Sequence, residues 1–233
     1  SRVPSNLDLV CNTLGGLLGA LAGKALGPRL FARILALEQR LIAPIPHAEL
    51  GLTLLGLWLL VPLSPETLLF GAGDLRQMAG LTGAVPFVAE SFVLIEASLT
   101  AFNTLAVGLV LRQLCARLLV AYAVVPLFLL LCLIIATLSA AILVSPADAL
   151  AWLTPGSQLG LTVGTVILAL AMALPATPRL MIAALALMAG TVLVNLAPPN
   201  PYSAAALAAG RQGHFLNFNG LTRLIATLWP FLT

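Results

Sequence analysis

The chain has 233 residues, of which 61% are hydrophobic and only 8% charged, and its net charge is +3. Soluble domains carry about a quarter charged residues, so a soluble globular fold is excluded. The basic residues lie scattered between apolar runs rather than in one patch, which argues against a nucleic-acid partner. The composition predicts an all-α, polytopic transmembrane helix bundle.

Apolar runs near 7–23, 48–63, 86–111, 118–144, 158–174 and 178–197, with a partial run from about 215, predict six to seven spans. Proline or small polar residues mark most boundaries, as at Pro86, Ser145-Pro146 and Thr177-Pro178. Pro126 lies inside the fourth run and is expected to kink it. The chain opens without an initiator Met and closes in "LTRLIATLWPFLT", too short to span. Both ends read as cut, and an internal piece of a longer chain is expected.

The first run begins "SRVPSNLDLVCNTLGGLLGALAGKAL". At 100° per residue, Ser5, Asp8, Asn12, Gly15, Gly19 and Gly23 fall in one stripe less than about 90° wide. Gly15, Gly19 and Gly23 form two overlapping G-x-x-x-G steps, a pattern for close helix packing. Arg2, Ser5, Asp8 and Asn12 form a polar cluster at the mouth of that face, a candidate ligand site. The plainer alternative places Arg2 at the interface and makes Asp8 part of the helix cap. Next, "GPRLFARILALEQRLIAP" sets Arg29, Arg33 and Arg40 on one stripe opposite Leu30, Phe31, Ile34, Leu35 and Leu41. That pattern suits a helix on the cytoplasmic leaflet, or one packed on its own spans.

The third run carries Glu90 and Glu96. A helix starting near Pro86 puts Glu96 about 15 Å deep, with Thr100 and Asn103 on the same face. A carboxylate there costs on the order of 3 kcal/mol unless it is protonated or partnered. Glu96 and Asn103 therefore line either a proton or substrate path or a structural hydrogen bond made by an uncharged Glu96. Elsewhere the signals are weak. Cys11, Cys115 and Cys132 read as small buried hydrophobes, and His47 and His214 lack metal-ligand spacing. No nucleophile elbow, Walker A or dinucleotide fingerprint occurs, so no catalytic residue, metal or cofactor is assigned. "HFLNFNG" after "APPNPY" reads as an interfacial or re-entrant turn that offers a lipid or sugar contact.

Orientation follows from the arginines. The stretches 24–47 and 112–117 and the start of the sixth run at Arg179 are basic. They alternate with 64–85, 145–157 and 198–214, which hold one Arg, none and one. Residue 1 is therefore expected outside and the basic stretches inside.

The opening residues also resemble the signature that closes the VanZ-like domain, on Arg2, Ser5, Asp8, Asn12, Gly15 and Gly19. The resemblance covers about the first 26 residues. It implies the last of about four helices, entered from outside, in a family whose founding member is associated with low-level teicoplanin resistance. The Glu-x-x-Gln that precedes the Arg in the family is not in this sequence. "QGHFLNFNGLTRLIATLWP" resembles, more weakly, the C-terminal membrane extension of larger VanZ-like proteins. Three segments are expected: 1–26 as the last VanZ-like helix, 27–47 as a cytoplasmic amphipathic connector, and 48–233 as a membrane-embedded extension. The resemblance implies a bacterial envelope protein; the expected function is that of a cytoplasmic-membrane protein that binds or senses a lipid-linked or cell-wall component at the outer leaflet. Membrane lipid, and other membrane subunits at the glycine faces, are the expected partners. The alternatives are a non-catalytic accessory subunit and, ranked last because no internal repeat is visible, a secondary transporter.

Overall fold

In the computed structural model an α-helix, α1, runs unbroken from Asn6 to Leu41. The structure describes residues 6–65, 67–76, 86–198, 200 and 216–233. At 36 residues α1 is about 54 Å long. The first apolar run and the amphipathic connector, expected as separate elements, are thus one helix. Pro28 removes a single N–H, and the Leu- and Ala-rich flanks carry the helix through it. The described residues of α1 between Thr13 and Arg40 are exposed, with Gly27 half-buried. The chain then turns beside Cys115, where the Ala43 N–H donates to the Leu114 carbonyl (2.7 Å) and the Ala116 N–H to that of Leu41 (2.8 Å).

Helix α2 (Ala48–Trp58) ends in a 3-10 turn, Val61–Leu63. Beyond it the described backbone to Leu75 is not helical, because Pro62 and Pro65 cannot continue a helical ladder. The sequence places this stretch in an external loop, yet Leu69, Phe70 and Ala72 are buried. Irregular backbone among apolar helices needs partners for its polar groups, and side chains supply them. Ser139 donates to the Leu63 carbonyl at 2.8 Å and Thr100 to that of Leu69 at 3.3 Å. Asn195 brackets the end of the stretch, donating to the Gly73 carbonyl (2.7 Å) and accepting from the Leu75 N–H (2.9 Å). Gly73 has φ +88, and a Cβ there would lie 3.1–3.2 Å from Thr191 and Pro230, so only glycine fits the turn.

Among the described residues three helices are long and apolar enough to cross a bilayer: α3 (Ala89–Leu114), α4 (Leu118–Leu143) and α6 (Ala176–Leu196). The apolar α2 with its 3-10 turn, and α5 (Pro155–Ala171), are shorter. Helix α7 spans Leu216–Leu232. Helix α3 is central. From Asn103 to Leu109 every residue is buried, so no face of that stretch meets solvent or lipid. Helix α4 buries only the stripe Ala121, Val125, Leu129, Cys132, Ala136, Ser139 and Ala140. Its opposite face exposes Leu119, Leu127, Leu130, Ile134, Leu138 and Ile142, as a lipid-facing helix does. Pro126 sits within α4, and the helix continues past it.

Helices α5 and α6 meet α3 through small residues. On α5 these are Gly156, Gly160 and Gly164, spaced at four. A Cβ at Gly160 would stand 2.4 Å from the Ala97 carbonyl oxygen, and one at Gly164 would stand 2.9 Å from the Ala101 Cα. Dispersion at such close approach is what joins helices in an apolar medium. Helix α7 closes the other side, with Trp229 donating from its indole to the Leu54 carbonyl (2.7 Å) and lying 6.1 Å from the Trp58 ring.

Two of the arginines expected inside, Arg112 and Arg179, lie at one end of these helices. Arg112 donates to the Met172 and Cys115 carbonyls, and Arg179 to the Leu174 carbonyl and Gln113. The Met172 and Leu174 carbonyls lie just past the C-terminus of α5, where cations are favoured.

Candidate functional site

At the opposite end, Glu96 of α3 is 2% exposed. It lies seven residues into a helix that starts at Ala89, about 10 Å along the axis and shallower than a start at Pro86 would give. Its partner comes from the next element. Thr154 caps α5, accepting from the Ser157 N–H (3.1 Å) and donating its own hydroxyl proton to Glu96 Oε1 (2.6 Å). The sequence "TPGS" explains the cap: an oxygen-bearing N-cap residue, proline in the first turn, then a donor three residues on.

Gly156 admits the carboxylate. A Cβ there would lie 2.4 Å from Glu96 Oε2 and 2.9 Å from Glu96 Cβ. The carboxylate therefore rests against the first turn of α5, whose free N–H groups and dipole favour negative charge. The loop before α5 is pinned in turn. Ser157 donates to the Trp152 carbonyl (2.6 Å), and the Trp152 indole donates to Thr137 of α4 (3.0 Å).

The seam read from helical spacing is buried as a whole, but its members face different neighbours. Thr100 binds the irregular stretch at Leu69. Asn103 donates to the Leu99 carbonyl one turn back (3.0 Å) and lies against Gly190 of α6. Asn103 thus fills a helix contact, while Glu96 faces α5. Glu90 is exposed in the first turn of α3.

Glu96 and Thr154 line a cavity of about 390 Å³, within the range of small-molecule sites. Ser64 and Thr67 of the irregular stretch and Asp148 of the α4–α5 loop add polar atoms, and Ala136 and Ala140 of α4 form an apolar wall. Among the described residues, no three His, Cys, Asp or Glu gather to hold a metal ion.

Of the residues proposed from the opening stretch, Arg2 and Ser5 lie outside the described residues, as do the side chains of Asp8 and Asn12. A Cβ added at Gly15, Gly19 or Gly23 would meet nothing within 4 Å. The sequence reading did not include Thr154, Gly156, Ser64, Thr67 or Asp148. For Thr154 and Gly156 a signal existed: the T-P-G-S cap runs straight into the Gly156–Gly160–Gly164 stripe. Ser64 and Thr67 sit in a stretch without periodicity and carried none.

Comparison with protein-family models, with curated proteins and with solved structures finds no match to this chain.

Proposed function

We propose that the chain is a six- to seven-span protein of the bacterial cytoplasmic membrane, VanZ-like in its opening 26 residues. On this reading it binds or senses a lipid-linked or cell-wall component at the outer leaflet. The observation that carries the reading is the cavity around Glu96. It has the size and mostly apolar walls of a binding site, and it lies at the arginine-poor end of the helices. The positive-inside rule puts that end outside. The shorter α5, at 17 residues, reaches about 26 Å, close to the thickness of the hydrocarbon core, and counts as a span on this reading.

Ala140→Trp, which fills the cavity from α4, tests the proposal in the intact protein. It is expected to abolish the envelope phenotype, read as the teicoplanin susceptibility of the producing strain, at unchanged membrane abundance. Unchanged susceptibility with the cavity filled contradicts the proposal.

A second reading, a non-catalytic accessory subunit of a larger membrane complex, is favoured by α1. Its described residues are exposed along most of its length and its glycines Gly15, Gly19 and Gly23 are open. Stoichiometric partners retained through mild purification would favour that reading, and a protein free of partners would not.

A further inference from the structure

We infer that the ligand of the Glu96 cavity is an organic ammonium group, with Glu96 as its counter-ion; the inference rests on the cavity being a ligand site. The first ground is charge. Two carboxylates, Glu96 and Asp148, are among the described residues that line the cavity, and no Lys, Arg or His is. An anionic group would meet repulsion there, with no cation among the described lining residues to hold it.

The second ground is the state of Glu96 itself. Buried carboxylates are normally paired with a cation, yet the one ion pair among the described residues joins Arg76 to Asp74. Thr154 occupies one acceptor position on Oε1, whereas a carboxylate offers about four. The site therefore holds a buried acceptor with capacity left and no cation from the described protein.

The third ground is the shape and chemistry of the walls. A bare metal cation needs six or so oxygen ligands, and among the described residues no three His, Cys, Asp or Glu gather to supply them. A space of about 390 Å³ with apolar walls suits a nitrogen carried on carbon instead. Trp152 also lines the cavity, its indole fixed by Thr137, and indole is the best ring for holding such a cation.

The test uses the full chain in detergent and three matched probes: hexylammonium, hexanol and hexanoate. Binding is measured calorimetrically and counted as the part that Ala140→Trp removes. Hexylammonium is expected to bind saturably and at least ten-fold tighter than the other two, and Glu96→Gln to weaken it at least ten-fold. The probe comparison in the unsubstituted protein stands whether or not that variant folds. Equal or tighter binding of hexanol or hexanoate would overturn the ammonium ligand and leave the cavity a binding site. No cavity-dependent binding of any probe would overturn both. Two further arms identify the source of the nitrogen. Displacement of hexylammonium in nanodiscs by phosphatidylethanolamine, but not by phosphatidylglycerol, supports a lipid head group. Displacement by a lysine-bearing peptide alone supports a cell-wall amine.

Discussion

Gly160→Ala should lower the stability of the protein by about 3 kcal/mol, the upper end of what overpacking costs, and Gly160→Leu should prevent accumulation in the membrane. The new Cβ would stand 2.4 Å from the Ala97 carbonyl oxygen and 2.7 Å from the Thr100 Cβ. The nearest atom is backbone of the central helix and cannot swing aside, so α3 and α5 must separate along their length. Separation also pulls Thr154 from Glu96 and thereby opens the site. Gly15→Ala, Gly19→Ala and Gly23→Ala provide the contrast, since among the described residues nothing beyond the helix's own turns lies within 4 Å of the added methyl. Alanine is the better helix former, so these three should leave stability unchanged or slightly raised. Unfolding in mixed detergent micelles, followed by helical circular dichroism, measures both sets. An unchanged midpoint for Gly160→Ala would contradict the packing described here.

The two glycine stripes show what a sequence can and cannot convey about such a fold. Gly15–Gly19–Gly23 and Gly156–Gly160–Gly164 have the same spacing and the same apolar flanks. Within this chain the second stripe receives a neighbour, and which stripe does so depends on tertiary contacts that spacing does not encode. The all-helical character was legible, because apolar length alone dictates it. So was the burial of Glu96, Thr100 and Asn103, because 100° per residue puts them near one another. Thr154, the partner of Glu96, lies 58 residues away and joins it through the meeting of two helices. The irregular stretch after α2 carries polar residues and prolines that read as an exposed loop. It is buried because hydroxyls and an amide on three other helices satisfy its backbone.

The second large effect concerns Glu96 and Thr154 as a pair. Glu96→Leu removes the acceptor for the Thr154 hydroxyl and leaves that buried hydroxyl without its partner on α3. Its cost should exceed the 1 kcal/mol or so typical of one inter-helix hydrogen bond in a membrane, reaching about 2–3 kcal/mol with the penalty of a buried unpaired hydroxyl. Glu96→Gln keeps an oxygen for Thr154 and should cost less than about 1 kcal/mol, while removing the negative charge that an ammonium ligand needs. Stability and binding therefore part company in that variant. A double-mutant cycle with Thr154→Val should give a coupling of about 1 kcal/mol for the Glu96–Thr154 contact. A coupling near zero would mean that the two side chains do not meet.

On the proposed orientation the cavity beside Glu96 opens to the outer side of the membrane. Ala140 lines it from α4, so a cysteine at that position reports on access directly. In an otherwise cysteine-free protein, Ala140→Cys is measured in intact spheroplasts with a membrane-impermeant thiosulfonate, beside Ala147→Cys on the exposed loop and Ala116→Cys at the basic end. Cys at 140 and at 147 is expected to react from outside, and Cys at 116 is not. Reaction at 116 with protection at 140 would contradict that orientation.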